Sequence, residues 1–370
     1  MKFLITIAAI AVLTFSANGQ NCTCESNFEW LKKTFEENDA GFRYILDKKG
    51  QAAYDAHNQL ILGRVRNAEN LSECVLIMNE WTEFFRRGHI FIEQLIGEQI
   101  FSRRGEKPEK QDTSLWDDAF RKFLNTNVPY LDRLNETTLY LRIPSFDHNF
   151  KEIIDQVIID NRDKILSTKN LIIDLRNNGG GSDPSYSELL PLLYTNPIRQ
   201  TGVEFLSTPH NNQRFLDFAT NPEYREFFDD ETLQQFKEYY DTLQGRLGEF
   251  VNLVGDIKTV QFDTVYAYPK NIGIIINGGC GSTTEQFLLD AKQSKKVKLF
   301  GTTTFGALDI SNMHSAESPC GEFQLWYGLS RSLRIPDMVI DDIGLQPDFY
   351  LDKTIPQHKW VEFVNDVLNQ

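Results

Sequence analysis

The stretches IIDLRNNGGG, Ile172–Gly181, and INGGCGSTTEQF, Ile276–Phe287, decide the fold between them. Each leaves a strongly apolar run, passes through a glycine-rich turn and enters a segment of helical spacing. Short apolar runs of this kind read as strands buried on both faces, and strands that alternate with helices build parallel sheets. The pattern extends both ways: Leu139–Ile143 and Leu171–Leu175 are predicted strands with a helix between them around 150–165. Downstream, a strand over Asn271–Ile276, a helix over Thr283–Gln293 and a strand over Val297–Phe300 continue it. A helix over Tyr186–Leu193 and a long charged helical stretch over 223–253 make residues of about 198–262 a helical insertion. Before the core, Phe28, Leu31 and Phe35, then Val75, Met78, Trp81, Phe84 and Phe85, recur at helical spacing, which predicts an N-terminal helical region over 21–101. The polar segment SRRGEKPEKQDT, Ser102–Thr113, marks the boundary, the core is assigned to 114–352, and 353–370 reads as a C-terminal helix.

Taken singly, the residues that could carry chemistry have plain structural explanations. The glycine triplet at 179–181 would let backbone N–H groups approach an anion or an oxyanion, and it would serve equally as a turn. Ser282 stands where a helix begins, close to the positive end of the helix dipole, but Ser282 with Glu285 also fits a capping box. The segment is not a G-x-S-x-G elbow, because Cys280 and Thr284 stand where its glycines should be. His89, in RRGHIFIE, follows a glycine at the entry to a short strand, which could aim the imidazole into a cleft.

Composition narrows the function classes. Hydrophobic content of 41% and charged content of 24% are those of an ordinary globular chain, and a net charge of −14 disfavours nucleic acid and anionic membranes. Residues 1–20, MKFLITIAAIAVLTFSANGQ, have the layout of a secretory signal peptide, so the mature chain is expected outside the cytoplasm, periplasmic or secreted, without stable membrane insertion. Five cysteines in an exported chain imply disulfides and leave at least one thiol unpaired. The pairings expected are Cys74 with Cys22 or Cys24, and Cys280 with Cys320. No Cys/His cluster has zinc spacing, and neither metal nor cofactor is expected.

Together these segments resemble the C-terminal-processing and tail-specific serine peptidases. The resemblance rests on Gly88-His89, Asp174–Gly181, Ser282 with Glu285, the turn Gly301–Gly306, and Gly344–Asp348, in that order along the chain. It implies an α/β core of the crotonase-like or ClpP-like spiral type. Ala307 stands where the lysine-using branch carries its base. The chain is therefore more similar to the branch of the tricorn core and the interphotoreceptor retinoid-binding protein, which uses histidine with an acidic residue and a second serine. By that resemblance Ser282 is the nucleophile, His89 the general base and Asp341 the acidic partner, with Asp342 as its rival, while Gly88 replaces the helper serine.

The backbone N–H groups of Gly180 and Thr283 are then the expected oxyanion donors, and Glu285 a supporting residue. The stretch from His89 to Leu139 is too short for a PDZ module, so the insertion at 198–262 becomes the candidate lid over a peptide or unfolded-protein substrate. Two other readings share the machinery: a catalytically inactive ligand- or peptide-binding protein on the same fold, and an esterase or amidase.

Overall fold

The computed structural model describes residues 22–96, 118–226 and 228–370. The expected signal peptide and the connector at 102–113 lie outside them. The architecture is mixed α/β.

The described residues open with four helices, α1 (Cys24–Asn38), α2 (Phe42–Lys49), α3 (Gln51–Val65) and α4 (Leu71–Thr82), followed by strand β1 (Phe91–Gln94). Two of them start on polar caps, the Ser26 N–H donating to Thr23 Oγ1 and the Glu73 N–H to Asn70 Oδ1. After α5 (Asp118–Asn125) come β2 (Tyr130–Arg133), β3 (Thr138–Arg142), α6 (Lys151–Asp160), α7 (Arg162–Ile165) and β4 (Asn170–Asp174). A middle section holds α8 (Leu190–Leu193), β5 (Ile198–Thr201), β6 (Val203–Leu206), α9 (Pro209–Thr220), α10 (Asp230–Gln244), β7 (Phe250–Asn252) and β8 (Ile257–Val260). The chain closes with β9 (Asn271–Ile276), α11 (Thr283–Ala291), β10 (Val297–Gly301), β11 (Ile310–Glu317), β12 (Phe323–Ser332), β13 (Phe349–Tyr350) and α12 (Trp360–Asn369).

The central sheet runs β13-β10-β9-β4-β3-β2, parallel except for the antiparallel edge β2. One face packs Ile172, Ile275 and Phe300 against Trp360, Val364 and Leu368 of α12. The other packs Leu171, Ile173, Ile274 and Ile276 under α6 and α11. Burial on both faces is the reason these strands read as near-continuous apolar runs.

A second sheet, β1-β12-β6-β7 with β11 on the other side of β12, covers the N-terminal helices. Its register brings β1 alongside β12, so the N-terminal helices share one core with strands from the far end of the chain. The insertion differs from its expected form. Among its described residues only α9 and α10 are long helices, and β6 and β7 join the second sheet. Those strands are too short for an alternating pattern to stand out. Among the described residues no helix is long and apolar enough to cross a membrane.

The disulfides are Cys24–Cys74 and Cys22–Cys320. The first lies within the expectation for Cys74. The expected Cys280–Cys320 pair is corrected: Cys280 is a buried free thiol that donates to the Leu175 carbonyl at 3.0 Å, and Cys320 is bonded to Cys22 instead.

Candidate active site

Because β4 and β9 are adjacent and parallel, the glycine turns that follow them lie side by side. Asn177 and Asn277 lock the two together: the Asn177 N–H donates to Asn277 Oδ1 and Asn277 Nδ2 to Asn177 Oδ1, each at 2.9 Å. Below the first turn, Arg176 pairs with Asp174 at 2.5 Å, both side chains fully buried. Burial alone would raise the Asp174 carboxyl, but the guanidinium holds it below the usual carboxylate range. Tyr140 adds a hydrogen bond to that carboxylate at 2.9 Å.

The second turn presents Ser282 with φ 56° and ψ −125°. A non-glycine residue in that region is strained and is held there by its surroundings. Two acceptors hold this one, since its N–H lies 3.0 Å from the Ala307 carbonyl and 3.2 Å from Glu285 Oε2. Glu285 also accepts the Thr304 hydroxyl at 2.5 Å and the N–H groups of Gly306 and Ala307, both at 2.8 Å. A capping role explains Glu285 in part; it does not explain the serine hydroxyl, whose Oγ lies 3.0 Å from His89 Nε2.

His89 arrives from the loop after α4, with its own φ at 54°. Its Nδ1 is 2.6 Å from the Ile310 carbonyl oxygen. A carbonyl only accepts, so Nδ1 carries the proton and the Nε2 lone pair faces the serine hydroxyl. Burial pushes the imidazole down to about 4, opposed by the Ile310 carbonyl and aided by Arg86. Arg86, itself buried against Asp39, donates to the His89 carbonyl at 2.9 Å and so fixes the turn from the N-terminal helices. Gly88 also has a steric reason: a Cβ there would meet the Ala307 Cβ at 2.3 Å, so a serine does not fit.

Two expected roles differ in the structure. Asp341 does not contact His89. Its Oδ1 accepts the N–H groups of Leu308 at 2.6 Å and Asp309 at 2.7 Å, and its Oδ2 that of Ile310 at 3.1 Å. Asp309 returns the contact, its Oδ2 accepting the N–H of Ile340 at 2.6 Å and of Asp341 at 2.9 Å. The two carboxylates clasp the loops 308–310 and 340–341 together, and the carbonyl that orients His89 belongs to that clasp. Burial, then the nearby Asp309, raises the Asp341 carboxyl to about 6. Asp342 faces outward and accepts the Arg87 N–H at 2.9 Å.

The second difference concerns Gly180. Its N–H donates to Asn178 Oδ1 at 3.0 Å and is not free for an oxyanion. The expected Thr283 N–H, first in α11, has no acceptor among the described residues, and neither does the N–H of Gly181 on the facing turn. Gly180 matters sterically instead. At φ 101° it sits so close to the second turn that a Cβ would lie 2.7 Å from the Gly281 carbonyl oxygen and 2.8 Å from Ser282 Cβ. The sequence reading missed Ile310, Arg86 and Asp39. An apolar residue acting through its carbonyl leaves no side-chain signal, and Asp39 lies far from the motifs in sequence. Among the described residues no three His, Cys, Asp or Glu side chains converge to hold a metal ion.

Comparison with known proteins places this geometry in context. The description of Peptidase family S41 matches residues 137–351. A sequence search of curated proteins gives no match. Among solved structures, the fold is similar to that of mature CPAF complexed with lactacystin, with a TM-score of 0.61 and 14% identity over 93% of this chain and 98% of that one. It is likewise similar to a putative peptidase from Parabacteroides merdae, with a TM-score of 0.59 and 16% identity over 95% of this chain and 98% of that one. At such identities the likeness speaks for the fold.

Proposed function

The chain belongs to Peptidase family S41, and on that premise we propose that it is an exported serine endopeptidase with Ser282 as nucleophile and His89 as general base. The observation that carries this reading is the 3.0 Å approach of Ser282 Oγ to His89 Nε2, with Nδ1 engaged by the Ile310 carbonyl. That tautomer leaves Nε2 as the base. Ser282 Oγ attacks the peptide carbonyl while its proton passes to Nε2, and the same proton then goes to the leaving amine as the C–N bond breaks. Water reverses the sequence, releasing the acid from the acyl-enzyme. The Thr283 N–H, at the helix start and without an acceptor among the described residues, supplies one donor for the oxyanion.

In this scheme Asp341 is a positioning residue. It acts through the three N–H groups it holds, which fix the Ile310 carbonyl and thereby the imidazole. Two disulfides support an oxidising compartment and hence export. One observation favours the second reading, an inactive binding protein: the partner of His89 Nδ1 is a carbonyl, which stabilises an imidazolium less than a carboxylate does.

The test is hydrolysis of a quenched-fluorescent unfolded protein by the mature chain beside Ser282→Ala and His89→Ala. The peptidase reading expects turnover that falls by at least ~10⁴-fold in either variant. A folded wild-type chain as inert as both variants would favour the binder.

A further inference from the structure

The net charge of −14 is a sum over the chain, and the fold does not spread it evenly. Strands β4, β9 and β10 are parallel neighbours, so their amino ends lie along one edge of the central sheet. Lysines stand at each of these ends: Lys169 before β4, Lys270 before β9, and Lys295 and Lys296 before β10. The pairing of Asn170 with Asn271, and of Ile272 with Val297, sets them side by side on strands about 4.8 Å apart. The Lys270 N–H donates to the Lys169 carbonyl and the Ile272 N–H to the Lys296 carbonyl, each at 2.8 Å. The segments are far apart in the chain, and only the sheet gathers them.

Lys270 and Lys295 are exposed, Lys169 and Lys296 half-buried, and among the described residues none of the four forms an ion pair. Lys296 Nζ donates to the Tyr266 carbonyl at 2.6 Å, and Lys270 Nζ lies over the Tyr268 ring, 5.2 Å from its centroid. Glu188 is taken up by Arg162 at 3.5 Å, and the exposed acids Asp163 and Asp263 pair with none of the lysines. The end of α12 that packs at this edge is capped by Asn271, whose Nδ2 donates to the Leu368 carbonyl at 3.2 Å. The positive potential of the edge is therefore left for a partner.

An apolar point accompanies the charges. Val265 is 55% exposed, beside the half-buried Tyr266 and Tyr268. Arg162 Nη2 donates to the Tyr266 hydroxyl at 3.0 Å, which ties this loop to α7, just ahead of β4. Lysines around a small apolar tip that carries tyrosines suit the headgroup level of a bilayer, where ammonium groups meet phosphates and tyrosines keep one end wet. A polyanion in solution would use the lysines alone. Charges more than about 8 Å from the contact are largely screened at physiological ionic strength, so acids elsewhere on the molecule do not cancel it. Strand β9 runs six residues from Lys270 toward the turn of Ser282. At roughly 3.3 Å per residue that is about 20 Å, so the edge and the serine turn lie at opposite ends of the strand.

We infer that the amino-terminal edge of the central sheet, with Lys169, Lys270, Lys295 and Lys296 around Val265, is a docking surface for anionic phospholipid headgroups. It holds the chain on a bilayer surface without spanning it. The charge argument against anionic membranes holds for the chain as a whole and fails at this edge. Docking needs neither Ser282 nor His89, so the inference stands apart from the peptidase reading and survives its failure.

The test is co-sedimentation of the mature chain with vesicles of phosphatidylcholine alone or mixed with phosphatidylglycerol. The chain is expected to bind the mixed vesicles selectively, and less as salt rises. Each lysine near such a surface strengthens binding about fivefold, so Lys169→Gln/Lys270→Gln/Lys295→Gln should weaken it about 10²-fold. The same change of charge at the exposed Lys33, Lys237 and Lys353, each to Gln, should leave binding within about threefold. Val265→Ser should weaken binding to vesicles while leaving binding to soluble dextran sulfate unchanged. Equal binding to both vesicle types, or an equal loss in the two triple variants, overturns the inference. So does binding to dextran sulfate with none to vesicles, which would make the edge a site for a soluble polyanion.

Discussion

The turn after β4 and the turn after β9 look alike in sequence and touch in space, yet they are held in opposite ways. The first rests on a buried ion pair, Asp174 with Arg176, whose charges are neutralised on the spot. The second rests on a strained serine at φ 56° that is kept in place by Glu285 and the Ala307 carbonyl. Strain of that kind persists only when the surroundings over-determine it. On the proposed reading the first turn is scaffold and the second the working part, and the scaffold sets where Ser282 stands.

That contrast can be broken from the scaffold side first. Arg176→Ala leaves Asp174 charged and alone in the core and is expected to lower stability by about 3–5 kcal/mol, read from denaturant melts. An unchanged midpoint would remove the ion pair from the account. Next is the contact between the turns. Gly180→Ala forces a Cβ against Gly281 and Ser282 at a left-handed φ, and should lower kcat/KM by about 10²-fold, the scale of one misplaced oxyanion donor.

The pH profile sharpens the comparison on the working side. His89 must be neutral to act as base, and burial lowers its pKa from 6.5 to about 4. The acid limb of kcat/KM is therefore expected near pH 4, with activity present above it and lost below. Stability moves the same way. Between 6.5 and about 4 the unfolded chain takes up the proton that the folded His89 refuses, so this group makes stability fall as pH drops through that window. An acid limb at the ordinary histidine value would show an imidazole open to water. The smallest effect belongs to Gly179→Ala, one residue from the sensitive position but with open space around its Cβ. It should stay within about 0.5 kcal/mol in stability, and a large loss would erase the distinction between neighbouring glycines.

Much of this was legible beforehand. Strands β3, β4, β9 and β10 fall within a residue of their predicted spans, since burial on both faces leaves an unmistakable apolar run. The family resemblance brought Ser282 and His89 together from short motifs far apart in the chain. The insertion was read as helix because α9 and α10 carry the stronger pattern, while β6 and β7 gain their meaning only by pairing with β12 and with each other. The Cys280–Cys320 pairing failed because spacing carries no distance information.

The sequence by itself determined the parallel core, the two glycine turns, and the serine at the head of a helix. Those features are local, set by periodicity, glycine conformational freedom and helix-start chemistry. Only the tertiary structure decided what holds the histidine. A backbone carbonyl from Ile310 takes the place expected for Asp341, and that carboxylate acts one step back by gathering the amides of residues 308–310. Every residue has a carbonyl, so nothing in its letter marks the one that will face an imidazole. Which carbonyl does so is fixed by the packing of β11 against the loop after α4, a contact between segments more than two hundred residues apart.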